Sequence, residues 1–239
     1  MSQKVSFGST ALAAVVLLAL VVIGRQMFYA TPSGPSFPAE LSSIVLPTPK
    51  PLKPFTLVDQ EGQPFTLEHL QGQWTFLFFG YTHCPDICPM AMGLLGEVFQ
   101  QLKEKSPQDL AKSAAALVTV DPARDTPMIL KQYVAFFNPE FKGLSGTEEQ
   151  IKGFTRQVGA AYFLPSDFKG GNGEKATPPT GENANRISHT SAFFLIDPLG
   201  RLVAIFPEYN NTDMIVEEYA KIRKFVRIRQ IYANPDDNR

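Results

Sequence analysis

Both cysteines of the chain, Cys84 and Cys88, fall within the run Phe78-Phe79-Gly80-Tyr81-Thr82-His83-Cys84-Pro85-Asp86-Ile87-Cys88-Pro89. The thiolate is the form of cysteine that binds metal or attacks a disulfide, so the chemistry open to the pair depends on what lowers its pKa. Pro89 supplies a geometry. Proline is comfortable only in the first turn of a helix and pushes the residue before it out of the helical region. The spacing therefore predicts a helix beginning at Pro89, with Cys88 at its cap and Cys84 held extended by Pro85. Unpaired N–H groups and the positive end of the helix dipole would then favour thiolate at both sulfurs. A disulfide this close in sequence closes a very short loop and would stabilise little as a staple. Redox work and soft-metal binding both stay open.

Histidine is the natural third group, and the chain has three. His69 sits in a polar amphipathic turn and reads as a surface residue. His83 adjoins Cys84, but successive side chains in an extended loop point apart. His189 ends a loop just before a strand-like segment, from where it could reach a neighbouring cysteine loop. Two sulfurs and one imidazole make a three-coordinate set; thiolates select Cu(I), and imidazole also tolerates Cu(II). Zinc would want a fourth ligand, or an open hydrolytic site with a general base, and none is evident. Met90 and Met92 are candidate accessory thioethers, although helix packing also accounts for them.

These groups need a scaffold. The 239 residues are 44% apolar and 19% charged, with a formal net charge of −1. That suits one sizeable domain with extensions and gives no electrostatic footprint for nucleic acid. Residues 5–24 are free of charge and about long enough to cross a bilayer as a helix. Their apolar core outruns that of a signal peptide, and Arg25-Gln26-Met27-Phe28-Tyr29 follows without a small-x-small cleavage pattern. Residues 1–30 are thus expected to be an uncleaved anchor, with the transmembrane helix at about 5–24. Lys4 and Arg25 flank the span, so charge bias leaves its orientation open. Residues 31–54 carry seven prolines and read as a semi-rigid spacer. The folded domain is expected over 55–232, followed by a polar tail at 233–239.

Within that domain, 74–81 and 113–120 read as buried strands. Residues 55–58 and 63–66 form a hairpin around Asp59-Gln60-Glu61-Gly62, and 191–196 with 202–206 form a second. Helices are expected over 90–105, from Thr126-Pro127 to about 137, from Thr147 onward, and over 212–232. Residues 166–186, rich in Gly, Asn, Pro and charge, read as a mobile surface loop. This order gives an α/β fold, a central mixed sheet covered by helices on both faces. The cysteine loop then lies at the carboxyl end of a central strand, where ligands of open α/β sheets gather.

Phe79-Gly80-Tyr81-Thr82-His83-Cys84-Pro85-Asp86-Ile87-Cys88-Pro89 resembles the signature of the SCO/SenC family of copper-binding assembly proteins for cytochrome c oxidase. Val120-Asp121-Pro122-Ala123-Arg124-Asp125-Thr126-Pro127 resembles that family's second motif. His189-Thr190-Ser191-Ala192-Phe193-Phe194-Leu195-Ile196-Asp197-Pro198 resembles the third, which carries a metal-binding histidine. The resemblance runs over about 55–232 and implies a thioredoxin-like fold, copper as the bound metal, and Cys84, Cys88 and His189 as its ligands. Asp121 and Asp125 belong to a motif near the site, but turn and helix-start chemistry accounts for their types. In one departure, Ser188 stands where the family commonly has Asp, which removes a carboxylate that could orient the imidazole. The 166–186 loop is also longer than usual.

The resemblance implies a membrane-anchored metallochaperone rather than an enzyme. It would deliver copper to the dinuclear copper site of a cytochrome c oxidase subunit, and tethering would raise its effective concentration there. The anchor would lie in the bacterial cytoplasmic membrane, single-pass, with the C-terminal domain on the periplasmic side. The alternative is a thiol–disulfide oxidoreductase in which Cys84 and Cys88 are a redox pair acting on the oxidase subunit's copper-ligand cysteines. Against it, ordinary thioredoxin-like reductases have two residues between their cysteines, and they carry a cis-proline before the strand matching 191–196. No proline occurs between Gly181 and Asp197.

Overall fold

The most apolar run of the folded domain becomes the middle of a sheet. The computed structural model describes residues 16–17, 38–163, 187–207 and 211–233. Its elements are β1 (Val45–Pro51), β2 (Thr56–Asp59), β3 (Pro64–Thr66), β4 (Trp74–Gly80), α1 (Ile87–Lys105), α2 (Pro107–Leu110), β5 (Ser113–Thr119), α3 (Pro127–Phe137), β6 (Lys142–Ser145), α4 (Glu148–Val158), β7 (Tyr162–Phe163), β8 (Ser188–His189), β9 (Phe193–Ile196), β10 (Arg201–Phe206) and α5 (Thr212–Ala233). Eight strands form one sheet in the order β1-β10-β9-β4-β5-β6-β2-β3, and β7 pairs with β8 apart from it. One compact unit spans Pro38–Ile222. A second comprises Met1–Phe37 and Arg223–Arg239, of which 16–17 and 223–233 are described.

All seven residues of β4 are buried, which requires cover on both faces. On one face Phe76 meets Phe99 of α1 at 6.3 Å and Tyr219 of α5 at 5.0 Å between ring centroids. On the other, Phe79 meets Phe154 of α4 at 6.0 Å. Strands β4, β5 and β6 are parallel neighbours joined through α1 and α3. β9, β10 and β1 add antiparallel strands on one side, and the β2–β3 hairpin closes the other. This is the expected thioredoxin-like α/β arrangement, a central mixed sheet flanked by helices.

Local chemistry sets the ends of these elements. Thr126 accepts from Ile129 N at 3.4 Å ahead of Pro127, and Thr147 with Gln150 forms a capping box for α4, as their residue types predict. Gly62, at the turn of the expected hairpin, takes a φ of 76°, and Gly72 takes one of 81°, a region that glycine enters without steric cost. His69 is exposed, and its ring works locally. Its Nδ1 accepts from Thr66 N at 3.0 Å and closes the turn Leu67–Leu70.

Two expectations change. The proline-rich stretch 31–54 is not spacer throughout, because Val45–Pro51 is a strand paired with β10 at the sheet's edge. An edge strand has one row of N–H groups without partners, so prolines there forfeit no ladder bond. The helix after the cysteine loop starts at Ile87, with Asp86 at its cap, rather than at Pro89. Pro89 still falls in the first turn, where its missing N–H costs nothing. The 5–24 anchor, apart from residues 16–17, the 166–186 loop and the 233–239 tail, apart from Ala233, lie outside the described residues. No helix among the described residues is long and apolar enough to cross a membrane.

Candidate metal centre

The site forms where β4 ends. Beyond Gly80 the chain turns, with Cys84 N bonded to Tyr81 O at 3.2 Å, and enters α1, which puts Cys88 in the helix's first turn. Cys88 is fully buried and Cys84 half-buried. The sulfur of Cys88 rests against Gly80, where an added Cβ would lie 2.9 Å from it. Only a residue without a side chain leaves that room.

His189 arrives by antiparallel geometry. Phe193 of β9 pairs with Phe78 of β4, so residues preceding β9 pass beyond the carboxyl end of β4. The β8 segment is fastened there by Thr190, whose N–H donates to Ala161 O at 2.8 Å and whose hydroxyl accepts from Ala161 N at 2.9 Å. The rings of Phe78 and Tyr81 stand edge-on to the imidazole at 5.8 and 6.0 Å. The hydroxyl of Tyr81 accepts from Ile187 N at 3.3 Å. Nε2 of His189 lies 3.3 Å from Cys88 Sγ, and Nδ1 lies 3.3 Å from Thr190 O. A backbone carbonyl thus does the orienting for which Ser188, exposed on the same strand, has no carboxylate.

The ligand atoms of Cys84, Cys88 and His189 all lie within 4.8 Å of one another. Neither cysteine is in a disulfide. The two thiols titrate in opposite directions. A hydrogen bond from Cys88 draws Cys84 down to about 3, against burial and with help from His189 and the N–H groups of Asp86 and Cys88. That same bond, reinforced by burial, pushes Cys88 up. The expectation that the helix terminus would favour thiolate at both sulfurs therefore holds for one only: the pair shares a single proton. Two sulfurs and an imidazole nitrogen at this spacing suit a soft ion.

The remaining candidates separate. Met92 is buried in the core and Met90 is 65% exposed on α1. His83 lies outside the three-residue cluster, with Nδ1 3.1 Å from Thr82 Oγ1 and 3.6 Å from Asp125 Oδ1. Asp121 pairs with Arg124, whose guanidinium lies 5.9 Å from the Tyr81 ring centroid. Asp125 is fully buried. It accepts from Thr82 N at 3.0 Å and from the hydroxyls of Thr82 and Thr119 at 2.5 Å each. Turn chemistry accounts for its type but not for this anchoring of the cysteine loop, and no signal local to residue 125 points across 43 residues to Thr82.

A family model described as SCO1/SenC matches residues 47–224. The mitochondrial protein SCO2 of Saccharomyces cerevisiae is 37% identical over 150 residues, 63% of this chain and 45% of that protein. A SCO2-like protein of Rickettsia felis is 35% identical over 152 residues, 64% of this chain and 67% of that protein. Among solved structures, Arabidopsis thaliana ScoI with copper bound matches with a TM-score of 0.61 at 29% identity, covering 72% of this chain and 98% of that one. The match takes in less than half the length of the yeast relative.

Proposed function

This chain belongs to the SCO1/SenC family, and on that premise we propose that it is a copper metallochaperone in which Cys84, Cys88 and His189 hold the ion. The convergence of those three ligand atoms within 4.8 Å carries the proposal. Two thiolates and a neutral imidazole suit Cu(I), and the relative of known structure was solved with copper bound. Loading deprotonates Cys88, since Cys84 is already thiolate. Copper is cargo. A three-coordinate ion accepts an incoming ligand before one leaves, so it can pass by ligand exchange to the dinuclear copper site of a cytochrome c oxidase subunit. An N-terminal helix at 5–24 in the bacterial cytoplasmic membrane, with the folded domain on its periplasmic side, would keep carrier and client together.

The test is copper analysis and a free-thiol count on the purified chain. One Cu(I) per chain, with both thiols protected from alkylation, is the expected result. His189→Ala should lower copper affinity by more than the roughly 10–100-fold that loss of an outer partner costs. Full affinity in that variant would remove His189 from the ligand set.

The low pKa of Cys84 favours a second reading, thiol–disulfide exchange on the client's cysteines. Cys84 thiolate would attack the client disulfide and Cys88 would resolve the mixed disulfide, leaving two client thiols reduced and Cys84–Cys88 oxidised. His189→Ala separates the readings, because exchange activity would largely survive it.

A further inference from the structure

His83 repeats the orientation of His189 one step outside the cluster. The hydroxyl of Thr82 donates its proton to Asp125 at 2.5 Å, so toward His83 Nδ1, 3.1 Å away, it can only accept. Nδ1 must therefore carry the hydrogen, and the lone pair of the neutral ring stands at Nε2. A relay to a carboxylate is the usual arrangement behind a metal-binding imidazole. Asp125, fully buried, anchors the relay by accepting the Thr82 hydroxyl, with its Oδ1 3.6 Å from His83 Nδ1. The ring is nonetheless 51% exposed and lies outside the three-residue cluster.

Its position gives it a use. Cys88 is fully buried while Cys84 is partly open, so an ion leaves on the Cys84 side, where His83 is the adjoining residue. Resting on the copper-carrier reading above, we propose that His83 is a transfer ligand that takes Cu(I) transiently as it leaves the cluster. A bond from Cu(I) to His83 Nε2 forms as the bond to His189 Nε2 breaks; the bond to Cys88 Sγ then breaks, Cys88 takes back a proton from water, and Cys84 stays bound throughout. Copper remains Cu(I), no electron moves, and the proton on His83 Nδ1 stays in place. The outgoing ion is then two-coordinate at the surface and open to an acceptor's thiolate.

The experiment uses the full chain in detergent, reduced and loaded with one Cu(I). Affinity is read by competition with bicinchoninate, and the transfer rate by stopped-flow mixing with bathocuproine disulfonate. His83→Asn keeps an N–H donor for Thr82 and has no second ring nitrogen. It should hold copper within about threefold of wild type and release it at least about tenfold more slowly. His83→Met, which restores a soft donor, should recover part of the rate. An unchanged rate in His83→Asn, with normal loading, overturns this inference alone. So does an affinity loss as large as that of His189→Ala, which would make His83 a resident ligand. A wild-type chain that takes up no Cu(I) overturns the copper-carrier reading itself, and this one with it.

Discussion

The carboxylate of Asp125 accepts both the backbone N–H and the hydroxyl of Thr82, at 3.0 and 2.5 Å, and so clamps the cysteine loop to the turn that follows β5. The two turns are brought together because Gly80 and Thr119 are paired at the carboxyl ends of parallel β4 and β5. The carboxylate also holds the Thr119 hydroxyl. Asp125→Ala would strand two hydroxyls and an N–H around a buried position. A loss of about 3 kcal/mol is expected, seen as a lower urea midpoint at unchanged slope. Cys84 should also alkylate faster in the folded state. Wild-type stability in Asp125→Ala would mean that water replaces the carboxylate without loss.

Copper uptake should release one proton near neutral pH. The Cys84 pKa is lowered to about 3, so its thiolate is fully present above that value and lost only as pH falls through it. The Cys88 pKa is raised, so Cys88 gives up its proton when the ion binds. Affinity should then rise about tenfold per pH unit over roughly pH 7–8, above the range in which an ordinary imidazole is protonated. Two ordinary thiols would release two protons and give about a hundredfold per unit. A weakly buffered titration with a pH indicator distinguishes the slopes.

Gly80→Ala tests the packing of the buried sulfur. The new Cβ would meet Cys88 Sγ and Phe78 at 2.9 Å and Leu117 at 3.3 Å. Side-chain ends can move, so the fold should survive with a loss of about 1–3 kcal/mol. The sulfur cannot move without leaving its place beside His189 Nε2. Copper affinity should fall by about tenfold or more, while far-UV circular dichroism stays as in wild type.

What the sequence reveals depends on how local each determinant is. β4 and α1 are legible because period and apolar content are properties of one segment. The three proposed ligand positions come from a resemblance; from composition alone, His189 is one histidine among three. Strand β6 carries little signal in Lys142-Gly143-Leu144-Ser145, because it is defined by fit: Gly143 lies where a Cβ would come within 2.9 Å of Leu130. The split between the two thiols is equally invisible in a motif, since it follows from which sulfur is buried and which receives the hydrogen bond.

The proline-rich stretch gives the last test, because there composition and structure lead to different fragments. Composition puts the start of the domain at Phe55. The fold places Leu41 at 0% exposure and Val45 and Leu52 at 6%, and ties Ile44 O to Ile205 N and Leu52 N to Gly200 O. Cutting before Phe55 deletes three buried aliphatic side chains worth about 1.5–3 kcal/mol each, a large share of the roughly 5–15 kcal/mol that stabilises an ordinary domain. It also bares β10 as a new edge whose unpaired N–H and C=O groups invite another chain. A fragment from Pro38 to the C-terminus should unfold cooperatively as a soluble monomer. One from Phe55 should aggregate, or melt far lower. Equal melting temperatures for the two would mean that β1 is an ornament of the sheet rather than part of its core.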